Sequence, residues 1–180
     1  EQGKILMNDD IVFVMGGHLQ NTRFLLEGKI YQMVEPRLIL ALKGHADICV
    51  NLQDCHVEKG YVMLLPTDTI VEVKEISEDA RVVAIVFRDG LDIVDGVVVS
   101  TSPSEFARLM RIVYLAWDFI QIKPYRTKTI QNLLQSIVTD IQYLSDLEEG
   151  NTKHDSTSHL HDLFLQFKRL VHRHCTHERS

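Results

Sequence analysis

Hydrophobic positions in this chain follow two different rhythms, and the change falls near Ser102. Before it, apolar residues come in short runs separated by glycine, proline and charged residues. Ile11 to Met15 is one such run, closed by Gly16-Gly17, and its unbroken apolarity predicts a strand buried on both sides. Phe24-Leu25-Leu26 and Ile30 to Val34 add strand material around a turn at Glu27-Gly28. Leu38 to Leu42 reads as a further strand, and Lys43-Gly44 offers a turn because glycine accepts positive φ at no steric cost. Ala46, Ile48 and Val50 alternate with His45, Asp47 and Asn51, the two-residue period of a half-buried strand, and Asn51 to Asp54 turns the chain again. Gly60 opens Tyr61 to Leu65, which Pro66 stops because proline cannot donate to a sheet ladder. Ile70 to Val73 follows, then a polar turn from Ser77 to Arg81 and the β-branched run Val82 to Phe87. Val97 to Val99 is a last short strand or a link across the β structure. Strands this short, at such regular spacing, predict a small antiparallel barrel or sandwich.

Beyond Ser102 the period becomes helical. Ser102 can cap a helix, and Pro103 suits its first position, where the missing N–H costs nothing. Phe106, Leu109, Met110, Val113, Tyr114, Trp117 and Ile120 then recur at helical spacing until Lys123-Pro124. A second helix is expected from about Arg126 to Glu148. It carries Ile130, Leu133, Leu134, Ile137, Ile141 and Leu144 as an apolar stripe that Asp140 interrupts, which reads as a candidate dimer interface or, alternatively, as a face that packs on the first helix and the β structure of the same chain. Gly150 to Ser158 reads as a polar linker, and a third helix is expected from His159 to about His174. The organisation is therefore residues 1–101 as β structure, 102–149 as a helical segment, and 150–180 as linker and last helix.

Composition narrows the classes of function. With 180 residues the chain can bury a substantial core. Its 19 Lys and Arg against 25 Asp and Glu give a formal charge of -6, which argues against a nucleic-acid contact surface built on clustered cations. Cys49, Cys55 and Cys175 are odd in number and lack Cys-x-x-Cys spacing, so neither a disulfide framework nor a cysteine zinc site is indicated, and a cytoplasmic setting is expected. No apolar run approaches membrane length, and EQGKILMNDD has no signal-peptide core.

The spacing Gly60-x5-Pro66-x-Asp68 resembles the second half of the cupin barrel signature, in which a glycine usually stands where this chain has Asp68. Taken with the Gly44 turn and with helices ending in LHDLFLQFKRLVHRHCTHERS, the order resembles the N-terminal half of AraC-type transcription regulators. That resemblance implies an α+β fold, a small antiparallel cupin-like jelly-roll barrel followed by about three helices. It implies an effector-sensing and dimerisation domain that is not an enzyme and needs no cofactor. The partners it implies are a second copy of the chain, an unknown small-molecule effector, and DNA only through helix-turn-helix units beyond this fragment, with no membrane. A small cupin-fold enzyme, a metal-free small-molecule-binding protein and a plain interaction module are the alternatives.

The barrel also provides a test for metal chemistry. Counting along the cupin signature places Arg37 where a glutamate ligand would stand, Tyr31 and Met33, or Ile30 and Gln32 in the other permitted spacing, in the His-x-His slot, and Val71 at the last histidine. No metal ligand of that family survives, and a cation stands at one of the positions. The resemblance directs Tyr31, Met33, Arg37 and Val71 toward the barrel interior, where a guanidinium could hold a carboxylate or phosphate in a bidentate pair. The alternatives for Arg37 are an ion pair with Glu35 or Glu72, or a side chain that leaves the barrel altogether. His18, His45 and His56 read as loop or strand-edge residues, and His172, His174, Cys175 and His177 as a solvated helix end. Cys49 and Cys55 read as small core residues rather than nucleophiles. Elemental analysis of the purified chain should find no stoichiometric transition metal. One metal per chain, lost on mutation of the barrel residues, would contradict the ligand count.

Overall fold

The computed structural model describes residues 3–18, 27–88, 90–93, 95–152, 165–169 and 171. Ten strands precede two helices: β1 (Lys4–Met7), β2 (Ile11–Gly17), β3 (Ile30–Gln32), β4 (Arg37–Lys43), β5 (His45–Val50), β6 (Gln53–Glu58), β7 (Tyr61–Leu65), β8 (Ile70–Ile76), β9 (Arg81–Phe87), β10 (Val97–Ser100), α1 (Pro103–Ile120) and α2 (Thr127–Thr152). Every pairing is antiparallel, in a six-stranded sheet ordered β1-β2-β9-β4-β7-β10 and a four-stranded sheet ordered β3-β8-β5-β6. The α+β class holds. Its β part is two separate sheets, not one continuous closed barrel.

Alternation along the strands builds two cores back to back. On β9, Val82 and Ala84 face the four-stranded sheet and join Ile39, Ile48, Met63, Leu65, Val71 and Val73 in one cluster. Val83, Ile85 and Phe87 face the other way and join Leu38, Leu40, Val62 and Leu64 in a second. Helices α1 and α2 close that second cluster with Leu109, Val113, Ala116, Ile130, Leu134, Ile137, Val138 and Ile141. Because β9, β4 and β7 are buried on both faces, their sequences are unbroken apolar runs. Phe13 meets Trp117 edge to face, with ring centroids 5.1 Å apart.

The start of α1 follows the expected chemistry. Ser102 accepts from the Glu105 backbone N–H while Glu105 accepts from the Ser102 N–H, a reciprocal capping box, and Pro103 opens the helix. Helix α2 departs from expectation at its end, running through Gly150 to Thr152 where a linker was anticipated. One glycine costs a helix about 1 kcal/mol relative to alanine, which does not by itself stop it. The chain divides into compact units Glu1–Leu144 and Ser145–Ser180. In the second, residues 165–169 and 171 are helical, and the rest of the expected third helix, like Phe24-Leu25-Leu26, lies outside the described residues. Among the described residues no helix is long and apolar enough to cross a membrane.

Of the two accounts of the apolar stripe, a contact between chains or packing within one, burial favours the second. Ile130, Leu134, Ile137 and Ile141 are each 0% exposed, and Leu133 and Leu144 are half-buried against the same cluster. The helical periodicity was real, but the six-stranded sheet and α1 take up its apolar face. Replacing Ile137 with Ala should therefore cost about 2–5 kcal/mol in urea unfolding, and Ile137→Asp should leave the chain unfolded by circular dichroism. A folded, monomeric Ile137→Asp protein would return the stripe to an intermolecular role.

Candidate functional site

Tyr31, Met33, Arg37 and Val71 converge at one end of the space between the sheets. Tyr31 on β3 lies directly opposite Val71 on β8, so the two share a face, and both pack into the inter-sheet cluster. Met33 follows β3. Its N–H donates to the Thr69 carbonyl at 2.8 Å, and its carbonyl accepts from the Asp68 N–H at 2.7 Å. The Thr69 hydroxyl, itself buried, donates to the Pro66 carbonyl at 2.7 Å. These bonds fix the turn between β7 and β8. Asp68 there has φ of +68°, which accounts for the glycine usual at this place in the resembled signature, and aspartate is one of the few other residues that tolerate it.

Arg37 opens β4 opposite Leu65 of β7. Leu65 belongs to the inter-sheet cluster, so cross-strand geometry aims Arg37 into the same space. Its side chain is half-buried, and Nε is shut off from solvent. Burial presses the guanidinium pKa down from its ordinary value, while Glu35 and then Tyr31 push it back up. Of the two acids proposed as partners, Glu35 is the one that acts on Arg37. Glu72 lies on β8 opposite Ile30 and Cys49. Met33 and Val71 are 1% and 0% exposed, so they complete the packed interior. Tyr31 and Arg37 are the half-buried members through which a ligand could be reached.

This donor set does not fit a metal ion. A guanidinium, a phenol, a thioether and an isopropyl group offer no carboxylate or imidazole. Among the described residues no group of three or more His, Cys, Asp and Glu is arranged to hold one. The cluster His172, His174, Cys175 and His177 lies outside the described residues.

Sequence reasoning missed a polar cluster on the outer face of the four-stranded sheet. The His56 ring and Asp47 carboxylate are in hydrogen-bond contact at 2.6 Å, Glu58 stands 3.9 Å from the other ring nitrogen, and the His45 ring lies 5.6 Å away. The signal that could have found it was the alternation of β5 extended to β6, whose register sets Asp47 opposite His56 and His45 opposite Glu58. The hydrogen bond to Asp47, above all, raises the His56 pKa. Cys55 packs toward the inter-sheet core, as expected. Cys49 instead points outward beside Asp54, which Lys74 pairs at 2.7 Å. Burial and then Asp54 push the Cys49 thiol up, and burial raises Cys55 as well, so neither is a ready thiolate nucleophile. A separate open cleft of about 300 Å³, lined by Met7, Asn8, Asp9, Asp10, Tyr125 and Thr127, contains none of the expected site residues.

No protein-family model matches the chain, and no curated protein matches it. Solved structures that it resembles include protein NMB1881 from Neisseria meningitidis, 13% identical, covering 48% of this chain and 82% of that one at a TM-score of 0.35. Wild-type ToxT from Vibrio cholerae strain SCE256, solved with unsaturated fatty acid bound, is 10% identical over 77% of this chain and 56% of its own, at 0.46. A cupin-2 domain containing protein from Shewanella frigidimarina is 14% identical over 48% of this chain and 80% of its own, at 0.33. This chain thus spans about half the length of ToxT. Its own architecture is a pair of antiparallel sheets with helices on one outer face.

His56 gives the outer face of the four-stranded sheet a pH dependence with a definite sign. Its folded-state pKa lies above the ordinary histidine value of 6.5, so its pairing contributes fully below pH 6.5 and is lost as pH rises through the folded value. His56→Gln should therefore weaken the protein at about pH 5.5 more than at about pH 8.5 in urea melts. The effect should be small, because the pair is exposed. Equal losses at both pH values would show that the pairing does not form.

Proposed function

We propose that this chain is the effector-sensing domain of an AraC-type transcription regulator, whose DNA-reading helix-turn-helix units belong to a further segment of the protein. The single observation that carries the reading is Arg37, a half-buried cation aimed between the sheets at a position where the resembled metal-binding proteins keep an acidic ligand. An arginine there suits a small anionic effector, a carboxylate or phosphate, held by parallel N–H donors, with the Tyr31 hydroxyl at hand for a further bond. The reading assigns no catalytic step. Pairing of two chains, which the resemblance implies, would use the outward margin of α2, where Leu133 and Leu144 are half-buried and Tyr143 is 61% exposed.

Thermal melts of the 180-residue chain with a panel of carboxylates and sugar phosphates test the site. At least one compound should raise the melting temperature, and Arg37→Gln should abolish that shift while leaving the unliganded protein folded. A shift retained in Arg37→Gln, or none across the panel, counts against Arg37 as the anchor. Reading the coding sequence downstream of Ser180 tests the regulator assignment independently, since helix-turn-helix units should follow.

A further inference from the structure

Helix α1 has a second, outward face that neither the core nor the effector site uses. Its inward residues Leu109, Met110, Val113, Ala116 and Ile120 are buried, which satisfies the amphipathic pattern. Yet Tyr114 is 55% and Leu115 46% exposed on the opposite side, and Ile122 and Tyr125 in the following turn are each 41% exposed. Arg108, Arg111, Leu115 and Asp118 succeed one another at three- and four-residue steps, so they form one continuous exposed stripe, with Tyr114 beside Arg111 and Asp118.

Charge on this helix face and the segment after it runs against the rest of the chain. From Arg108 to Lys128 there are five cations, Arg108, Arg111, Lys123, Arg126 and Lys128, and one acid, Asp118, in a protein of formal charge -6. All five are exposed, and the ion pairs among the described residues involve other groups. Arg126 sits 5.7 Å from the Phe119 ring centroid. Arg108 and Arg111 stand in the first half of α1, where the helix dipole gives no reason for cations. By contrast Asp47, Asp54 and Glu35 have basic partners within the chain. Unpaired arginines interleaved with exposed tyrosine and leucine have the composition of a protein interface core.

We propose that the outward face of α1 and the turn after it is a docking surface for an acidic, apolar-bearing segment of a different protein. Carboxylates of the partner pair Arg108, Arg111 and the turn cations, and its apolar side chains cover Tyr114, Leu115 and Ile122. A second copy of this chain fits less well, because a two-fold contact through this face would set like charges against each other.

The test is titration of the 180-residue chain with a synthetic amphipathic peptide of about sixteen residues carrying Glu and Leu at helical spacing, followed by fluorescence anisotropy. Binding should weaken as salt is raised and should fall at least about tenfold both in Arg108→Glu with Arg111→Glu and in Tyr114→Ser with Leu115→Ser. These positions are exposed, so urea melts of the variants should match the wild type. A Glu→Gln version of the peptide should bind weakly. The proposal is overturned if the acidic peptide does not bind, if the variants bind it unchanged, or if a DNA duplex binds this face in its place. It is equally overturned if Arg108→Glu with Arg111→Glu lowers the sedimentation coefficient, which would make the face a contact between copies.

Discussion

Burial of the six-stranded sheet on both faces is the constraint on which the other features rest. A strand covered on one side can alternate, but β9 lends Val82 and Ala84 to one core and Val83, Ile85 and Phe87 to the other. Its neighbours β4 and β7 do the same with Ile39 against Leu38 and Leu40, and Met63 against Val62 and Leu64. This arrangement requires a cover on the outer side, and α1 and α2 are that cover. The helices are therefore part of the same folding unit as the sheet through Leu144, whatever further role their outer surfaces play.

The proposed site depends on how that sheet ends. Arg37 is the first residue of β4 and Leu65 the last of β7, so the guanidinium stands where the packed interior gives way to turns. Met33 and Val71 seal the interior beneath it, and the hydrogen-bonded Pro66–Thr69 turn holds Met33 in place. A buried guanidinium is costly unless its surroundings compensate, and Glu35 and Tyr31 provide that compensation in part. Arg37 itself, a fixed cation aimed into that space, would repel a divalent cation there.

Strands buried on both sides were legible from sequence because nothing interrupts their apolarity, and α1 was legible because Ser102, Pro103 and Glu105 mark its start chemically. Strand β6 was not. Gln53, Asp54, His56 and Glu58 are polar, only Cys55 and Val57 turn inward, and the expected turn at Asn51 to Asp54 shrinks to Asn51-Leu52, both with positive φ. A leucine at φ of +69° contradicts local preference and is set by the hairpin that β5 and β6 must close. Likewise β1 is an edge strand that pairs only with β2, so its four residues carry too short a pattern to read. For the stripe on α2, sequence revealed an apolar face but not what covered it, since periodicity is the same whether the neighbour is a sheet of the same chain or another molecule. The convergence of Tyr31, Arg37 and Val71 rested on the cupin resemblance, and the register of β3 with β8 and β4 with β7 supplies its geometric basis.

Strand order in the larger sheet also governs when the protein can acquire its structure during synthesis. β2 is flanked by β1 and β9, and its ladder joins Ile11 to Phe87, so the N-terminal strand lacks its main partner until most of the sandwich has left the ribosome. Local hairpins such as β5–β6 can close early, whereas the central strand must recruit β2 and β4 across the several strands that lie between them in the chain. Until β9 arrives, the apolar runs of β2, β4 and β7 lack a common centre, and the helices that finally cover them are made later still. The nascent chain therefore exposes its most aggregation-prone strands for the longest time, and the charged and glycine-containing turns between them are what separate those runs in the interval.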